Sequence, residues 1–134
     1  LNLIKVTVTA SSEVMQAAQS LVGRVDAIYL PTDNMVISSV SSVIKVAEEN
    51  KIPLIAGESN SFEAGALATI GIDYYKLGQT TAEMALRVIN GEKPQDMAIQ
   101  GQEGTDLVIN LKAAEKMGIT IPEEVLARAK NVIK

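Results

Sequence analysis

Two hydrophobic patterns alternate along this chain. Short apolar runs rich in β-branched residues predict strands, and stretches whose apolar residues recur every three to four positions predict amphipathic helices. The predicted strands are residues 5–9, 25–30, 52–56, 66–72, 97–99 and 107–109. The predicted helices are residues 13–22, 35–47, 62–64, 74–90, 111–117 and 122–133. This alternation predicts an α/β protein with a mainly parallel sheet and helices on both of its faces.

The connection between the third and fourth predicted strands is unusually short. A parallel crossover needs roughly a dozen residues, and only about ten separate these two strands. Either the short helical turn between them suffices, or the fourth strand belongs to another sheet.

Residues that favour helix N-termini follow several of the predicted strands. The predicted caps are Ser11 or Ser12, Asp33 or Asn34, Asn60 or Ser61, Asp73, and Asn110. Glycines follow the predicted helices in the position where a left-handed residue ends a helix. These glycines are Gly23, Gly91 and Gly118.

Three polar turns carry groups that could bind a ligand. Parallel strands end at one edge of a sheet, and ligands of open α/β sheets bind at that edge. A helix N-terminus with serine hydroxyls favours an anion, whereas carboxylates favour a cation. We therefore predict that this edge binds a small zwitterion such as an amino acid. The candidate ligand-binding residues are Ser11, Ser12, Thr32, Asp33, Asn34 and Glu58.

Capping is the competing interpretation of the same residues. An aspartate or asparagine after a strand more often caps a helix than binds a ligand. Capping explains each turn alone, but it does not explain why all three turns carry charged or anion-binding groups. For Tyr74 and Tyr75, packing is favoured over stacking on a ligand.

Composition excludes several classes of protein. The 134 residues carry a net charge of −4, which disfavours a nucleic-acid partner. Cysteine and histidine are both absent, which excludes disulfides, thiolate catalysis and Ser-His-Asp chemistry. Neither dinucleotide-binding nor P-loop glycine motifs occur. We expect no cofactor, no metal and no catalysis.

The sequence resembles a known family. Residues 25–34, read as V-D-A-I-Y-L-P-T-D-N, resemble the V-D-A-I-Y-x-P-T-D-N signature of ABC-transporter substrate-binding proteins of the TrpX-like group. Further matches follow in the family's order at residues 52–58, 65–78, 107–110 and 118–122. The likeness covers essentially all of the chain and rests on several adjoining motifs.

The resemblance implies the type I periplasmic-binding-protein architecture, in which two flavodoxin-like or Rossmann-like lobes close on a ligand. It implies an extracytoplasmic receptor, often lipid-anchored, that passes an amino acid to a membrane permease. Thr32, Asp33 and Asn34 would line the cleft, and Glu58 would face the ligand ammonium. Family members are about twice as long, so the chain is expected to be a C-terminal piece.

The family fold also implies a division of this piece. Residues 1–65 and 93–134, including a C-terminal helix, would belong to the second lobe, and residues 66–92 to the first. As an alternative, the piece folds as one compact domain, or its unpaired strand forms an edge-paired or strand-exchanged homodimer.

Two other functions compete with the receptor. The effector-binding domain of a transcription regulator shares the architecture, and an upstream DNA-binding segment would favour it. A small α/β enzyme would use Asp33 and Glu58 as paired carboxylates for glycoside or metal chemistry.

Overall fold

The structure is a computed structural model that describes residues 1–72, 74–101 and 106–134. The chain divides into two compact units. One comprises residues 1–71 and 106–134, and the other comprises residues 72–105. The predicted cap Asp73 and residues 102–105 of the predicted polar loop lie outside the described residues.

The first unit contains a mainly parallel five-stranded sheet, which confirms the predicted fold class. Its strands are β1 (Ile28–Leu30), β2 (Leu54–Ala56), β3 (Ala68–Ile70), β4 (Leu107–Asn110) and β5 (Asn131–Ile133), in spatial order β1-β2-β3-β4-β5. Three of the four neighbouring pairs are parallel, and only β3 and β4 are antiparallel. The carboxyl ends of β1, β2 and β3 therefore share one edge.

The first unit also contains six helices among its described residues. They are α1 (Val14–Leu21), α2 (Asn34–Ser38), α3 (Val40–Asn50), α4 (Ser59–Ala64), α6 (Leu111–Met117) and α7 (Glu123–Leu126), with a 3₁₀ turn at Ser11–Glu13 before α1. Buried residues of α1, α3 and α6 join those of β1 and β2 in one core. Three large side chains of this core are almost completely buried, namely those of Val46, Leu54 and Met117.

The second unit contains the long helix α5 (Tyr74–Ile89) and a 3₁₀ turn at Pro94–Asp96. Helix α5 agrees with the predicted helix 74–90, but none of its residues is buried. Leu86 and Ile89 are both more than half exposed on it. Among the described helices, none is both long enough and apolar enough to cross a bilayer.

Two predicted strands are wrong. Residues 5–9 and 97–99 do not form strands, although residues 5–9 alternate polar and apolar side chains. Neither segment has a place in the sheet order. Alternation indicates only that a segment can be a strand, because the backbone hydrogen bonds have to come from a neighbouring strand.

The predicted C-terminal helix is wrong over most of its length. Helix α7 spans four residues, and Asn131–Ile133 form β5 beside β4. The N–H of Lys130 donates a 2.9 Å hydrogen bond to the Leu107 carbonyl and brings the chain into register. Val132 and Ile133 are β-branched and suit a strand wherever an edge is available to pair with.

Two smaller differences concern helix boundaries. The predicted helix over residues 35–47 is interrupted at Ser39, whose φ of −117° and ψ of 16° are not helical. Helix α4 starts earlier than predicted and is capped by Glu58, so the prediction of Asn60 or Ser61 as its cap is wrong.

Strand β3 bears on the division into lobes. In this chain it pairs with both β2 and β4, so the connection through α4 is long enough for a parallel neighbour. The assignment of residues 66–92 to the first lobe of a complete receptor stays a prediction.

Candidate functional site

The loops after β1 and β2 lie at the same edge of the sheet. The two strands are parallel and pair Leu30 with Ala56, so both chains leave the sheet at the same level. The hydroxyl of Thr32 donates a 3.3 Å hydrogen bond to the carbonyl oxygen of Gly57. This contact joins two of the three turns that the sequence predicts to form the site.

Asp33 caps α2 with one of its two carboxylate oxygens. Oδ1 accepts the N–H groups of Met35 at 2.9 Å and Val36 at 3.1 Å. Its Oδ2 has no hydrogen bond within the described part of the chain, and the side chain is exposed. Asp33 is therefore a cap that still presents an unshared charged acceptor to solvent, and Asn34 follows it as the first residue of α2.

Glu58 caps α4 in a different way, since it uses both carboxylate oxygens. Oε2 accepts the N–H of Asn60 at 2.7 Å, and Oε1 accepts the N–H of Ser61 at 2.5 Å. The residue is only 3% exposed. The geometry resembles that of Asp33, but here the carboxylate is enclosed by its own turn.

The ionised form of Glu58 is favoured despite this burial. Burial by itself raises the pKa of the Glu58 carboxyl, but the Ser61 hydroxyl nearby and the N–H groups of Ser61 and Asn60 more than offset that effect. The net result is a pKa below the ordinary value.

Ser11 and Ser12 lie in the exposed 3₁₀ turn that leads into α1. Their N–H groups and hydroxyls donate no hydrogen bond within residues 1–72, 74–101 and 106–134. Glu13 instead accepts the N–H groups of Thr9 at 2.7 Å and Ala10 at 3.2 Å, and these bonds lower the pKa of Glu13. The donors of Ser11 and Ser12 remain available to an anion, with the Glu13 carboxylate as a nearby opposing charge.

The turn at Ser11–Glu13 is linked by a hydrogen bond to the residue that follows the C-terminal end of α2. The Ser39 hydroxyl, which follows α2, donates a 3.3 Å hydrogen bond to the Ser11 carbonyl. Among the described residues, no hydrogen bond joins Ser11 or Ser12 directly to Thr32, Asp33 or Asn34. The structure thus brings the Thr32 and Glu58 turns into direct contact, and the Ser11 turn next to the end of α2.

Two further residues at this edge were not predicted from the sequence. Tyr29 of β1 is 64% exposed, and its hydroxyl lies against Gly57. Thr69 of β3 is 2% exposed, and its hydroxyl has no partner among the described residues. A tyrosine in the middle of a predicted buried strand was the available signal for Tyr29, whereas nothing in the pattern singled out Thr69.

This edge of the sheet carries polar groups that have no hydrogen-bond partner among the described residues. It offers an unshared carboxylate oxygen, several hydroxyls and free backbone donors, and the described residues contain no group of acids that could hold a metal ion. The sheet topology is that of an open α/β domain, a class in which ligands bind at the edge where parallel strands end.

The chain belongs to the family of ABC transporter substrate-binding proteins, whose model matches residues 1–133. The resemblance stated from the sequence is thereby confirmed. A tyrosine-binding protein of Clostridioides difficile is 48% identical over 103 residues, which are 77% of this chain and 30% of that protein. Family and relative alike are substrate-binding proteins.

Solved structures agree with this assignment. A conserved domain protein of Vibrio cholerae superposes with a TM-score of 0.85 at 39% identity, covering 98% of this chain and 45% of that one. An ABC domain of Streptococcus pneumoniae in complex with L-Trp superposes with a TM-score of 0.79 at 35% identity, covering 94% and 43%. The chain thus spans less than half the length of each relative.

Proposed function

We propose that the chain is part of the solute-binding component of an ABC importer and that it binds an amino acid, in particular an aromatic one, without converting it. The relatives named as binding tyrosine and L-Trp support an aromatic amino acid as the ligand. The permease of the importer is the membrane partner, and the receptor acts outside the cytoplasm, in the periplasm or as a cell-surface lipoprotein.

At the site, the proposal rests on the Asp33 oxygen Oδ2, which accepts no hydrogen bond within the described residues. Oδ1 holds α2 in place, so Oδ2 is kept at the edge of the sheet without further reorganisation. A carboxylate oriented in this way suits the ammonium group of an amino acid. Thr32 and Asn34, on either side of Asp33, line the same cleft.

The carboxylate of the ligand would bind at Ser11 and Ser12. Their hydroxyls and N–H groups have no hydrogen bond within the described chain, and they stand at the start of a helical segment, where the backbone favours negative charge. Asp33 and Ser11 would then take the two opposite charges of one zwitterion.

Glu58 serves the site in two ways in this proposal. Its negative charge adds to the field that attracts an ammonium group, and its two short hydrogen bonds fix the turn that follows Gly57. Because both oxygens are occupied, we propose that Glu58 positions the site more than it contacts the ligand.

We propose that residues 66–92 contribute to the first lobe of the complete receptor, as the family resemblance implies, and that closure of the two lobes encloses the ligand. Within this segment α5 belongs to the second unit, whereas β3 pairs with β2 and β4 in the sheet of the first unit. The exposed leucine and isoleucine of α5 support this assignment, because an amphipathic helix without buried residues lacks its packing partner.

Titration calorimetry on the complete receptor tests the proposal with L-tyrosine and L-tryptophan as probes. We expect saturable binding of at least one of them. Asp33→Asn keeps an oxygen for the cap but removes the charge, and we expect about tenfold weaker binding or more. The matched control is Asp26→Asn, an exposed aspartate before β1, which we expect to bind like the wild type.

Two results would contradict the proposal at different levels. Unchanged affinity in Asp33→Asn would remove Asp33 from the site. Absence of binding by the wild type to any amino acid would contradict the proposed function itself.

A further inference from the structure

Tyr29, Thr32 and Gly57 converge where β1 and β2 end. A Cβ atom placed on Gly57 would lie 2.8 Å from the Tyr29 hydroxyl oxygen, 3.2 Å from the Leu30 carbonyl oxygen and 3.5 Å from Thr32 Oγ1. The φ angle of Gly57 is not positive, so its backbone conformation is open to other residues. The Leu30 carbonyl and the Tyr29 hydroxyl both approach Gly57 closely, and of these two only the exposed Tyr29 side chain can move aside easily.

The Tyr29 hydroxyl is free to bind another group. It forms no hydrogen bond within the described residues, and the side chain is 64% exposed. The Tyr29 ring is not needed for the core, because the buried side chains of β1 are those of Ile28 and Leu30 on either side of it. The tyrosine oxygen is thus held at the edge of the sheet with no partner of its own.

The hydroxyl of Thr32 has a complementary property. Its single proton is directed to the Gly57 carbonyl, so towards solvent the oxygen can only accept. Tyr29 Oη can accept as well, and the neighbouring Asp33 Oδ2 is an unshared charged acceptor. One end of the candidate site therefore presents acceptor oxygens on Tyr29, Thr32 and Asp33.

We infer that Tyr29 is a ligand-contacting residue that, with Thr32 and Asp33, surrounds the primary ammonium group of the ligand. An ammonium group carries three donors and no acceptor, so acceptor oxygens on Tyr29, Thr32 and Asp33 suit it. The inference rests on the proposed function, and it adds a specificity. Primary amines are selected over N-methylated amino acids and over analogues without nitrogen, because each of these leaves an acceptor unpaired.

Gly57 is part of this arrangement as the residue that leaves room for the tyrosine oxygen. In Gly57→Ala the new methyl group would meet Tyr29 Oη at 2.8 Å, and the exposed ring would turn away from the edge. The variant therefore removes the contact that Tyr29→Phe removes, and in addition its methyl group lies close to the Leu30 carbonyl oxygen. The two changes are expected to be strongly coupled, with the double variant about as weak as Gly57→Ala alone.

Calorimetry on the complete receptor tests the inference with L-tyrosine, L-tryptophan, N-methyl-L-tyrosine and 3-(4-hydroxyphenyl)propanoate. We expect Tyr29→Phe to bind the primary amino acids about tenfold more weakly. Binding of the propanoate should be unchanged, so the preference for the amine shrinks. Thr120→Val is the control, because it removes an exposed hydroxyl at a position that is not among the candidate site residues.

The outcomes separate this inference from the proposed function. Wild-type affinity and wild-type amine preference in Tyr29→Phe would overturn the inference and leave the receptor function standing. Additive losses in Tyr29→Phe and Gly57→Ala would also overturn it, because the glycine would then act independently of the tyrosine. A wild type that binds none of the probes would overturn both.

Discussion

The Thr32 hydroxyl donates a 3.3 Å hydrogen bond to the carbonyl oxygen of Gly57 and so joins the loops that follow two neighbouring parallel strands. Asp33 and Glu58 come directly after the two bonded residues. Each caps a short helix, one with a single oxygen and the other with both. This difference decides which carboxylate has an oxygen left for a ligand.

We expect Thr32→Val to weaken this link between the loops. Valine keeps the branched shape but removes the hydroxyl, so the free energy of unfolding should fall by about 0.5 kcal/mol. Ligand affinity should fall more than stability does, since an acceptor at the site is lost as well. Chemical denaturation and calorimetry measure the two effects. Thr120→Val, at an exposed position, is the control, and an equal change in both variants would contradict the prediction.

Glu58 should make stability depend on pH in the acid range. Its pKa in the folded protein lies below the ordinary value of 4.5, so its contribution is fully present above that value. The contribution is lost as the pH falls through the pKa of the folded protein, because the unfolded chain, with its higher pKa, binds the proton more readily. The difference in unfolding free energy between wild type and Glu58→Gln should therefore shrink between about pH 5 and pH 3.

The size of the Glu58 effect at neutral pH follows from its two capping bonds. We expect Glu58→Gln to cost about 1–2 kcal/mol in urea denaturation. Glu63→Gln, an exposed glutamate of the same helix, serves as the matched control. A difference between wild type and Glu58→Gln that stays constant from pH 7 to pH 3 would show that charge has no part in it.

Thr69→Val should be neutral or slightly stabilising. The buried hydroxyl has no hydrogen-bond partner among the described residues, and valine has nearly the same shape. Thr69→Ser, which keeps the hydroxyl but removes a methyl group from a buried site, should be destabilising by about 1 kcal/mol. Thermal unfolding compares the two variants, and a lower melting temperature for valine than for serine would refute the expectation.

Lys51→Gly should stabilise the protein. Lys51 ends α3 with a φ of 55°, a left-handed conformation that costs a residue with a side chain roughly 1 kcal/mol relative to glycine. Lys45→Gly, in the middle of the same helix, should instead lower stability by about 1 kcal/mol. Opposite signs in thermal unfolding support the prediction, and a loss of stability in both variants would contradict it.

Much of the fold could be predicted because it depends on neighbours in sequence. The apolar runs at β1, β2 and β4 and the helical spacing in α1, α3 and α5 reflect periodicities that each segment carries alone. Two caps were predicted on the same basis. Asp33 and Asn110 accept backbone N–H groups two or three residues ahead, a contact that needs no distant partner.

The predicted site was less complete because its geometry depends on strands that meet across the sheet. Tyr29 meets Gly57 only because β1 and β2 pair in one particular register. Glu58 is a carboxylate like Asp33 in the sequence, and its burial comes from the packing of α4 beside β2. Neither property is encoded in the few residues around the position.

The sequence by itself determined the α/β class, the polar turns and the candidate charges, since these follow from local periodicity and capping. Tertiary structure alone decided that residues 131–133 are a strand and that residues 5–9 are not. The physical reason is that a strand exists only where another strand supplies its hydrogen bonds. Which oxygens remain free for a ligand is decided in the same way, by what the folded chain brings beside them.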